Sequence, residues 1–350
     1  MRNRLLTGPT IAEALGSNRD NFGIIRLVLA LAVVVSHAGS VTTGLAELEP
    51  LKASTGFTLG EHAVNGFFAV SGFLVAMSFE RRGWKDYALA RSLRILPGLI
   101  AATFAIALVM GPALSTFAPA AYFSEPGTWR FIMQTLTTFK STAQLPGVFQ
   151  DNPFRFPMGT VWTLKYEILC YFGLGVAGAL GLFRQRLLVM IVLAGLFLSI
   201  AGLDILRPDA GKGLQTALRL PFIFGLGAGL YVWRDKVSLS WAVVALLAGA
   251  CVLTHGTFAY KAMLFAAEVY GVLVLALGPG AGRLPDPKAD LSYGTYLYGW
   301  PVQQALHALF PATAAAVLFV PSLIITLLVA AASWYGIEKP ALRIKARLLS

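Results

Sequence analysis

Apolar runs of nearly equal length recur along the whole chain of 350 residues, separated by shorter polar segments. The first run, FGIIRLVLALAVVVSHAGS, is long enough as a helix to cross about 30 Å of hydrocarbon. The candidate spans are 22–40, 63–79, 95–113, 160–180, 187–203, 216–233, 240–254, 259–277, 290–309 and 314–335. The pattern predicts an all-α polytopic membrane protein with about ten transmembrane helices.

Composition agrees with this prediction. The chain is 57% hydrophobic and 13% charged, whereas about a quarter of the residues in a soluble domain are charged. Ten spans use about 200 residues, so the remainder suffices for loops and not for a separate soluble domain. No period of about 20–50 residues repeats, which argues against a solenoid.

A net charge of +11 can indicate a nucleic-acid partner. The positions of the basic residues along the chain indicate membrane topology instead. Lys and Arg are more than twice as numerous in the set of alternate loops that includes both chain ends as in the other set. The positive-inside rule therefore predicts both termini in the cytoplasm. We interpret the charge as a topology signal and expect no nucleic-acid partner.

The span pattern predicts three parts. A cytoplasmic N-terminal segment covers 1–21, a transmembrane domain covers 22–337, and a basic cytoplasmic tail covers 338–350. Glu338 before Pro340 marks the expected exit of the last span. The first span lacks a clear cleavage site and is interpreted as an uncleaved helix.

Two long loops are predicted on the outer side, at 41–62 and 114–159. The second is rich in aromatic and proline residues, which favours an ordered cap. The stretch from Trp129 to Phe139 predicts a short interfacial helix. Extended outer loops indicate that one substrate is handled at the outer face.

Arg26 and His37 are the most informative pair of residues. Eleven positions separate them, which places both side chains within roughly 20° of one helix face and about 16 Å apart along the axis. Ionisable residues inside a bilayer are costly and are functional candidates by default. The alternative is that each side chain snorkels to its nearer membrane surface.

Arg91 and Arg94 share a helix face at the predicted inner boundary, since they are spaced i, i+3. Paired guanidinium groups suit phosphate. The alternative is that they are topology-setting charges beside anionic lipid.

Lys165 and Glu167 lie a turn or two inside the fourth span. We expect His37 at a similar depth, so Glu167 is a candidate to orient its imidazole. The alternative is that Lys165 and Glu167 face a water-filled vestibule and are satisfied by other helices.

Other residues in the spans point to packing. Gly66 and Gly72 in the second span allow close helix approach. Cys170 and Cys251 are expected to be buried small residues and not a disulfide. No His or Cys spacing predicts a metal site, and no phosphate-binding glycine loop predicts ATP or a dinucleotide.

Taken together, six segments resemble the membrane-bound acyltransferase-3 family. The matching segments are Arg26 with His37, GFFAVSGFLV at 66–75, RSLRIL at 91–96 with Pro97, VWTLKYEILCYF at 161–172, LSYGTYLYGWPV at 291–302, and Glu338-Lys339-Pro340. Each segment is a weak signal alone, but the six occur in the family's order and span about residues 20–340. One departure is Gly299, where the family often has His, so no catalytic role is assigned there.

The resemblance implies an acyltransferase that transfers groups other than aminoacyl groups. It implies O-acetylation, with acyl-CoA, usually acetyl-CoA, as donor and the hydroxyl of a carbohydrate or glycolipid as acceptor, hence polysaccharide modification. It also implies a ten-helix domain in a bacterial inner membrane, in contact with membrane lipid. The rival class is a transporter or flippase without covalent chemistry.

A mechanism follows from the resemblance and the residue types. Arg91 and Arg94 are expected to hold the donor phosphates, and Arg26 extends that cationic site. His37 is expected to act as general base, or to carry the acyl group covalently, with Glu167 setting its tautomer.

Overall fold

The computed structural model describes residues 8–17, 19–207, 209–282, 284 and 287–348, without the side chains of 82 and 345–348. In this described part the regular secondary structure is helical, and the only strand-like pairing is one antiparallel bridge between Thr10 and Ser238. The all-α prediction is confirmed. Arg2 and Arg4, counted in the cytoplasmic charge, lie outside the described residues.

Fifteen α-helices are labelled in chain order within the described part. They are α1 Ile11–Gly16, α2 Phe22–Thr43, α3 Lys52–Thr55, α4 Leu59–Ala105, α5 Gly111–Leu114, α6 Pro119–Ser124, α7 Pro126–Thr138, α8 Trp162–Ala179, α9 Arg186–Leu206, α10 Lys212–Val232, α11 Trp241–Thr254, α12 Tyr260–Leu277, α13 Ser292–Leu309, α14 Ala315–Ser333 and α15 Lys339–Leu348. Single 3₁₀ turns lie at Ala46–Leu48 and Leu182–Arg184, and π turns at Ile106–Met110 and Trp334–Glu338.

Every predicted span falls on a helix, but only some of these helices are long and apolar enough to cross a membrane. In the described chain six qualify: Phe22–Thr43, Leu59–Arg81, Gly83–Leu114, Arg186–Leu206, Tyr260–Leu277 and Ala315–Ile344. The chain is thus a multi-pass membrane protein by helix length and composition. Crossing by α8, α10, α11 and α13 stays a prediction; α11 has only 14 residues, short of the usual 20 or so.

The second and third of these helices are joined through Gly83. Its backbone angles, φ 77° and ψ 176°, interrupt α4. Glycine adopts a positive φ without the Cβ clash that other residues meet. A capping box between Thr58 and Glu61 starts α4, because each side chain accepts a hydrogen bond from the other residue's amide.

The last helix does not end at Glu338; the exit of the chain from the membrane at this residue stays a prediction. The helix passes through the π turn at Trp334–Glu338 and continues as α15. Pro340, which has no amide hydrogen to donate, is the second residue of α15 and follows the π turn directly. The side of the membrane that α15 faces stays a prediction.

The chain forms two compact units. The first comprises Met1–Arg26, Asn65–Tyr87 and Tyr166–Pro287. In it a Cβ on Gly72 would lie 2.0 Å from the carbonyl oxygen of Phe224. That distance excludes any side chain and confirms Gly72 as a point of close helix approach.

The second unit comprises Leu27–Val64, Ala88–Lys165 and Lys288–Ser350. The aromatic-rich segment that was predicted to be an ordered cap belongs to it and is ordered. Tyr122 is fully buried and donates a hydrogen bond of 2.7 Å to the carbonyl of Ala107. Helix α7 corresponds to the predicted short helix.

Candidate functional site

His37 lies on α2 in the second unit and is hydrogen-bonded to a carboxylate. Its Nδ1 is 3.0 Å from Oε1 of Glu49. The Glu49 side chain is 4% exposed and the His37 side chain 23% exposed. The imidazole therefore has one nitrogen fixed inside the protein while part of the ring remains accessible.

Glu49 is held by two hydroxyls from the same face of α2. Ser36 donates to Oε2 at 2.5 Å and Ser40 donates to Oε1 at 2.6 Å. The Ser36 hydroxyl in turn accepts from the amide of Gly60 at 2.8 Å. One turn of helix thus fixes both the carboxylate and the histidine that it contacts.

The loop between α2 and α4 returns Glu49 to the helix that precedes it. Gly44 and Gly56 take positive φ values of 75° and 79°, and Leu51 takes 69°. These left-handed positions reverse the chain direction within a few residues. A Cβ on Gly44 would lie 3.0 Å from Pro153, so the first of these turns is also closely packed.

Electrostatics keep Glu49 ionised. Burial alone would raise the pKa of Glu49, but the His37 imidazole and the Ser36 and Ser40 hydroxyls outweigh it, and the pKa lies below its ordinary value of 4.5. An ionised carboxylate at Nδ1 accepts the N–H there, which places the lone pair of a neutral imidazole on Nε2.

Trp300 of α13 packs against the His37 ring. The ring centroids are 5.1 Å apart and the planes are nearly perpendicular, at 87°. Trp300 stacks on Phe156 at 5.4 Å and donates from Nε1 to the Phe156 carbonyl at 2.9 Å. A Cβ on Gly159 would lie 2.6 Å from the indole ring, so Trp300 is clamped between the histidine and the loop.

One face of α13 holds that loop in place. Residues four positions apart share a face, and Tyr296 and Gln304 flank Trp300 in this way. Tyr296 donates to the Thr160 carbonyl at 2.9 Å. Gln304 accepts from Asn152 at 2.7 Å through its side chain. The aromatic-rich segment is therefore anchored at several points beside His37.

Arg94 belongs to a second polar cluster in the same unit. Its Nη2 is 3.0 Å from Oδ2 of Asp290, with both side chains 18% exposed. Ser292 donates to Oδ1 of Asp290 at 2.6 Å. The guanidinium also lies 5.7 Å from the Tyr293 ring centre. Arg94 is thus partly neutralised by the protein itself, a contact that sequence reasoning missed.

The remaining predicted site residues have the following positions. Arg26 shares the continuous helix α2 with His37, as predicted, and is partly buried. Arg91 is partly buried on α4 and Lys165 is exposed on α8.

Glu167 accepts a short hydrogen bond from Tyr171 on its own helix. The carboxylate that bonds to Nδ1 of His37 is Glu49, a partner that the sequence did not identify; the role of Glu167 in orienting the imidazole stays a prediction.

The cysteines and the possible metal-binding side chains are the last groups that the sequence analysis singled out. Cys170 and Cys251 are both free thiols. Among the described residues there is no group of three or more His, Cys, Asp and Glu side chains that could hold a metal ion.

Comparisons with known proteins agree with the resemblance. A family profile described as an acyltransferase domain, Acyl_transf_3, matches residues 19–335. The chain is 29% identical over 294 residues to an O-acetyl transferase of Shigella phage Sf6, over 81% of this chain and 85% of that protein. It is 28% identical over 382 residues to nodulation protein 10 of Rhizobium leguminosarum bv. viciae, over 98% of each chain. No solved structure matches it. The chain therefore belongs to the acyltransferase-3 family and is a membrane acyltransferase that transfers groups other than aminoacyl groups.

Proposed function

We propose that this acyltransferase moves an acyl group, most simply acetyl, from cytoplasmic acyl-CoA to a hydroxyl of a cell-surface or exported carbohydrate. The observation that carries the proposal is the hydrogen bond between His37 and Glu49. A partly exposed imidazole whose Nδ1 is fixed by a buried carboxylate is the arrangement that makes histidine an effective general base.

The chemical step uses His37 twice. Nε2 of His37 takes the proton of the acceptor hydroxyl as its oxygen attacks the thioester carbonyl. The carbon–sulfur bond then breaks, and the imidazolium gives the proton to the departing CoA thiolate. The ester and the free thiol are formed without net proton release. Glu49 stabilises the imidazolium between the two transfers.

The donor is proposed to bind through arginines. Arg91, with Arg94 and Arg26, supplies the guanidinium groups that match the phosphates of acyl-CoA. With the N-terminus inside, His37 lies roughly 22 Å along α2 from its first residue. The pantetheine arm must therefore extend into the membrane for the thioester to reach Nε2.

The acceptor and location are proposed from the relatives and the charge pattern. One relative is named O-acetyl transferase, which supports acetyl as the group and O-acetylation, as in polysaccharide modification, as the outcome. The multi-pass architecture and the positive-inside asymmetry fit a bacterial inner membrane. The ordered aromatic segment beside His37 offers a surface at the predicted outer face.

Purified protein with labelled acetyl-CoA and an extracted surface carbohydrate tests the proposal. His37→Gln keeps much of the bulk of the side chain but cannot act as a base, so we expect acyl transfer to fall about a hundredfold to ten-thousandfold. His255→Gln is the matched control, because His255 is an exposed histidine whose ring contacts that of Tyr260; it should retain wild-type transfer. Equal amounts of inserted protein must be compared.

The rival reading, a transporter or flippase, makes the opposite prediction. If purified wild-type protein moved no acyl group, or if His37→Gln transferred acetyl at the wild-type rate, the proposed chemistry would be wrong. Transport of the carbohydrate without acylation would then favour the rival.

A further inference from the structure

An apolar groove of about 270 Å³ runs between three helices of the first unit. Helix α9 lines it from Val189 to Leu196, α8 lines it from Leu169 to Ala177, and α10 contributes Phe224. At about 1.5 Å per residue, the two lining stretches correspond to a length of about 10 to 12 Å. The groove thus runs along the helices and is not a pocket closed at one level.

The chemistry of the groove suits hydrocarbon. Among the described residues that line it none is charged, and the sulfur of Cys170 is their only side-chain heteroatom. Its volume is many times the roughly 30 Å³ that one water occupies in the liquid, and apolar cavities stay dry. Val192 and Leu169 at its rim are 50% and 63% exposed. A bilayer surrounds such a rim with acyl chains.

An unpaired cation stands at one end of the groove. Leu182 and Phe183 line that end, and Arg184 follows them on the same 3₁₀ turn. Arg184 is exposed and makes no ion pair within the described chain. Arg186, two residues on, is engaged by Asp235. The turn belongs to a loop that the positive-inside rule places on the side where anionic lipid collects.

We propose that the groove and Arg184 form a binding site for one anionic phospholipid, with an acyl chain in the groove and the phosphate at Arg184. Guanidinium groups match phosphate in geometry and charge. The site lies outside the residues assigned to acyl transfer, and the proposal stands independently of that function.

Gly173 provides a variant that fills the groove. It lines the groove, and a Cβ added there meets nothing within 4 Å. Gly173→Leu should therefore fold and occupy the space of the lipid chain. Gly195→Leu is the matched control, since Gly195 also has open space around its Cβ but does not line the groove.

Native mass spectrometry of the purified protein, titrated with phosphatidylglycerol and separately with phosphatidylcholine, measures the binding. We expect wild type and Gly195→Leu to bind one phosphatidylglycerol preferentially, and Gly173→Leu to bind it about tenfold more weakly or worse. Arg184→Gln, an exposed change that should not affect folding, should weaken phosphatidylglycerol about fivefold and leave phosphatidylcholine unchanged.

Two results would overturn the proposal. Unchanged phosphatidylglycerol binding in both Gly173→Leu and Arg184→Gln would show that the lipid binds elsewhere or nonspecifically. A change in preferred acyl-CoA chain length in Gly173→Leu, with lipid binding intact, would show that the groove takes the donor chain.

Discussion

Helix periodicity places Arg26 and His37 on one face of the first span, but it could not identify Glu49 as the hydrogen-bond partner of His37. The loop at 41–62 offers several glutamates, and no period connects any of them to a helix face. The structure distinguishes them by their hydrogen bonds. Glu61 caps α4, whereas Glu49 is returned to α2 by left-handed turns. That return depends on tertiary packing, so sequence alone left the partner of His37 open and favoured Glu167.

Glu49→Gln is expected to impair acyl transfer while the protein still inserts. The neutral amide cannot stabilise an imidazolium and can present its NH₂ to Nδ1, which favours the wrong tautomer. We expect kcat to fall by roughly a hundredfold or more, measured with labelled acetyl-CoA. Glu47→Gln is the matched control, because Glu47 is an exposed glutamate of the same loop. Comparable loss in both variants would contradict a specific role for Glu49.

Glu49→Gln also tests the pH range over which the ionised Glu49 carboxylate stabilises the protein. The pKa of Glu49 is lower in the folded protein than its ordinary value of 4.5. The stability that its ionised form contributes is therefore complete above about pH 4.5 and is lost as the pH falls through the folded pKa. The difference in thermal unfolding temperature between wild type and Glu49→Gln should not shrink between about pH 7 and 4.5, and should shrink below. A difference that disappears already at pH 6 would exclude this account.

Helices were the elements best predicted from the sequence, since every candidate span falls on one. The ends and interruptions of the helices were harder to predict from the sequence. The break at Gly83 depends on a single positive φ, and the continuation past Glu338 depends on a π turn. Both are local departures from ideal helix geometry that hydrophobic periodicity does not encode.

A contact within the second unit complicates the test of Arg94, one of the two arginines that share a helix face by their i, i+3 spacing. Arg94 is paired with Asp290 at 3.0 Å, so its removal leaves a partly buried carboxylate without this partner. A lower activity of Arg94→Ala could then come from less stable protein or from weaker donor binding, and activity alone would not separate the two. Arg94→Ala therefore tests the proposed phosphate site only together with a compensating change at Asp290.

Arg91→Ala is expected to raise the KM for acetyl-CoA by roughly tenfold to a hundredfold, the range for losing a charge-assisted hydrogen bond. Steady-state kinetics over a range of donor concentrations give the value. Arg94→Ala should also lower the yield of folded protein, and adding Asp290→Asn should restore the yield but not the donor affinity. An unchanged KM in Arg91→Ala would leave only the topological role for that residue.

At the scale of the whole molecule, the membrane orientation rests on charge distribution, and the helices alone do not fix it. Helix length and composition identify six candidate spans in the described chain, whereas the sequence pattern predicts about ten. Both numbers are even, so both are compatible with termini on one side. The distribution of Lys and Arg is what assigns that side to the cytoplasm.

Cysteine labelling in intact cells tests this orientation at two informative positions. Lys85 lies in a predicted inner loop and Arg130 on α7 of a predicted outer loop, and both residues are exposed. In a background in which Cys170 and Cys251 are replaced by Ser, Arg130→Cys should react with a membrane-impermeant maleimide. Lys85→Cys should react only after permeabilisation, because the positive-inside rule places its basic neighbours Arg81 and Arg91 in the cytoplasm. Labelling of both positions from one side would contradict the predicted arrangement, and the donor would then have to reach His37 by another route.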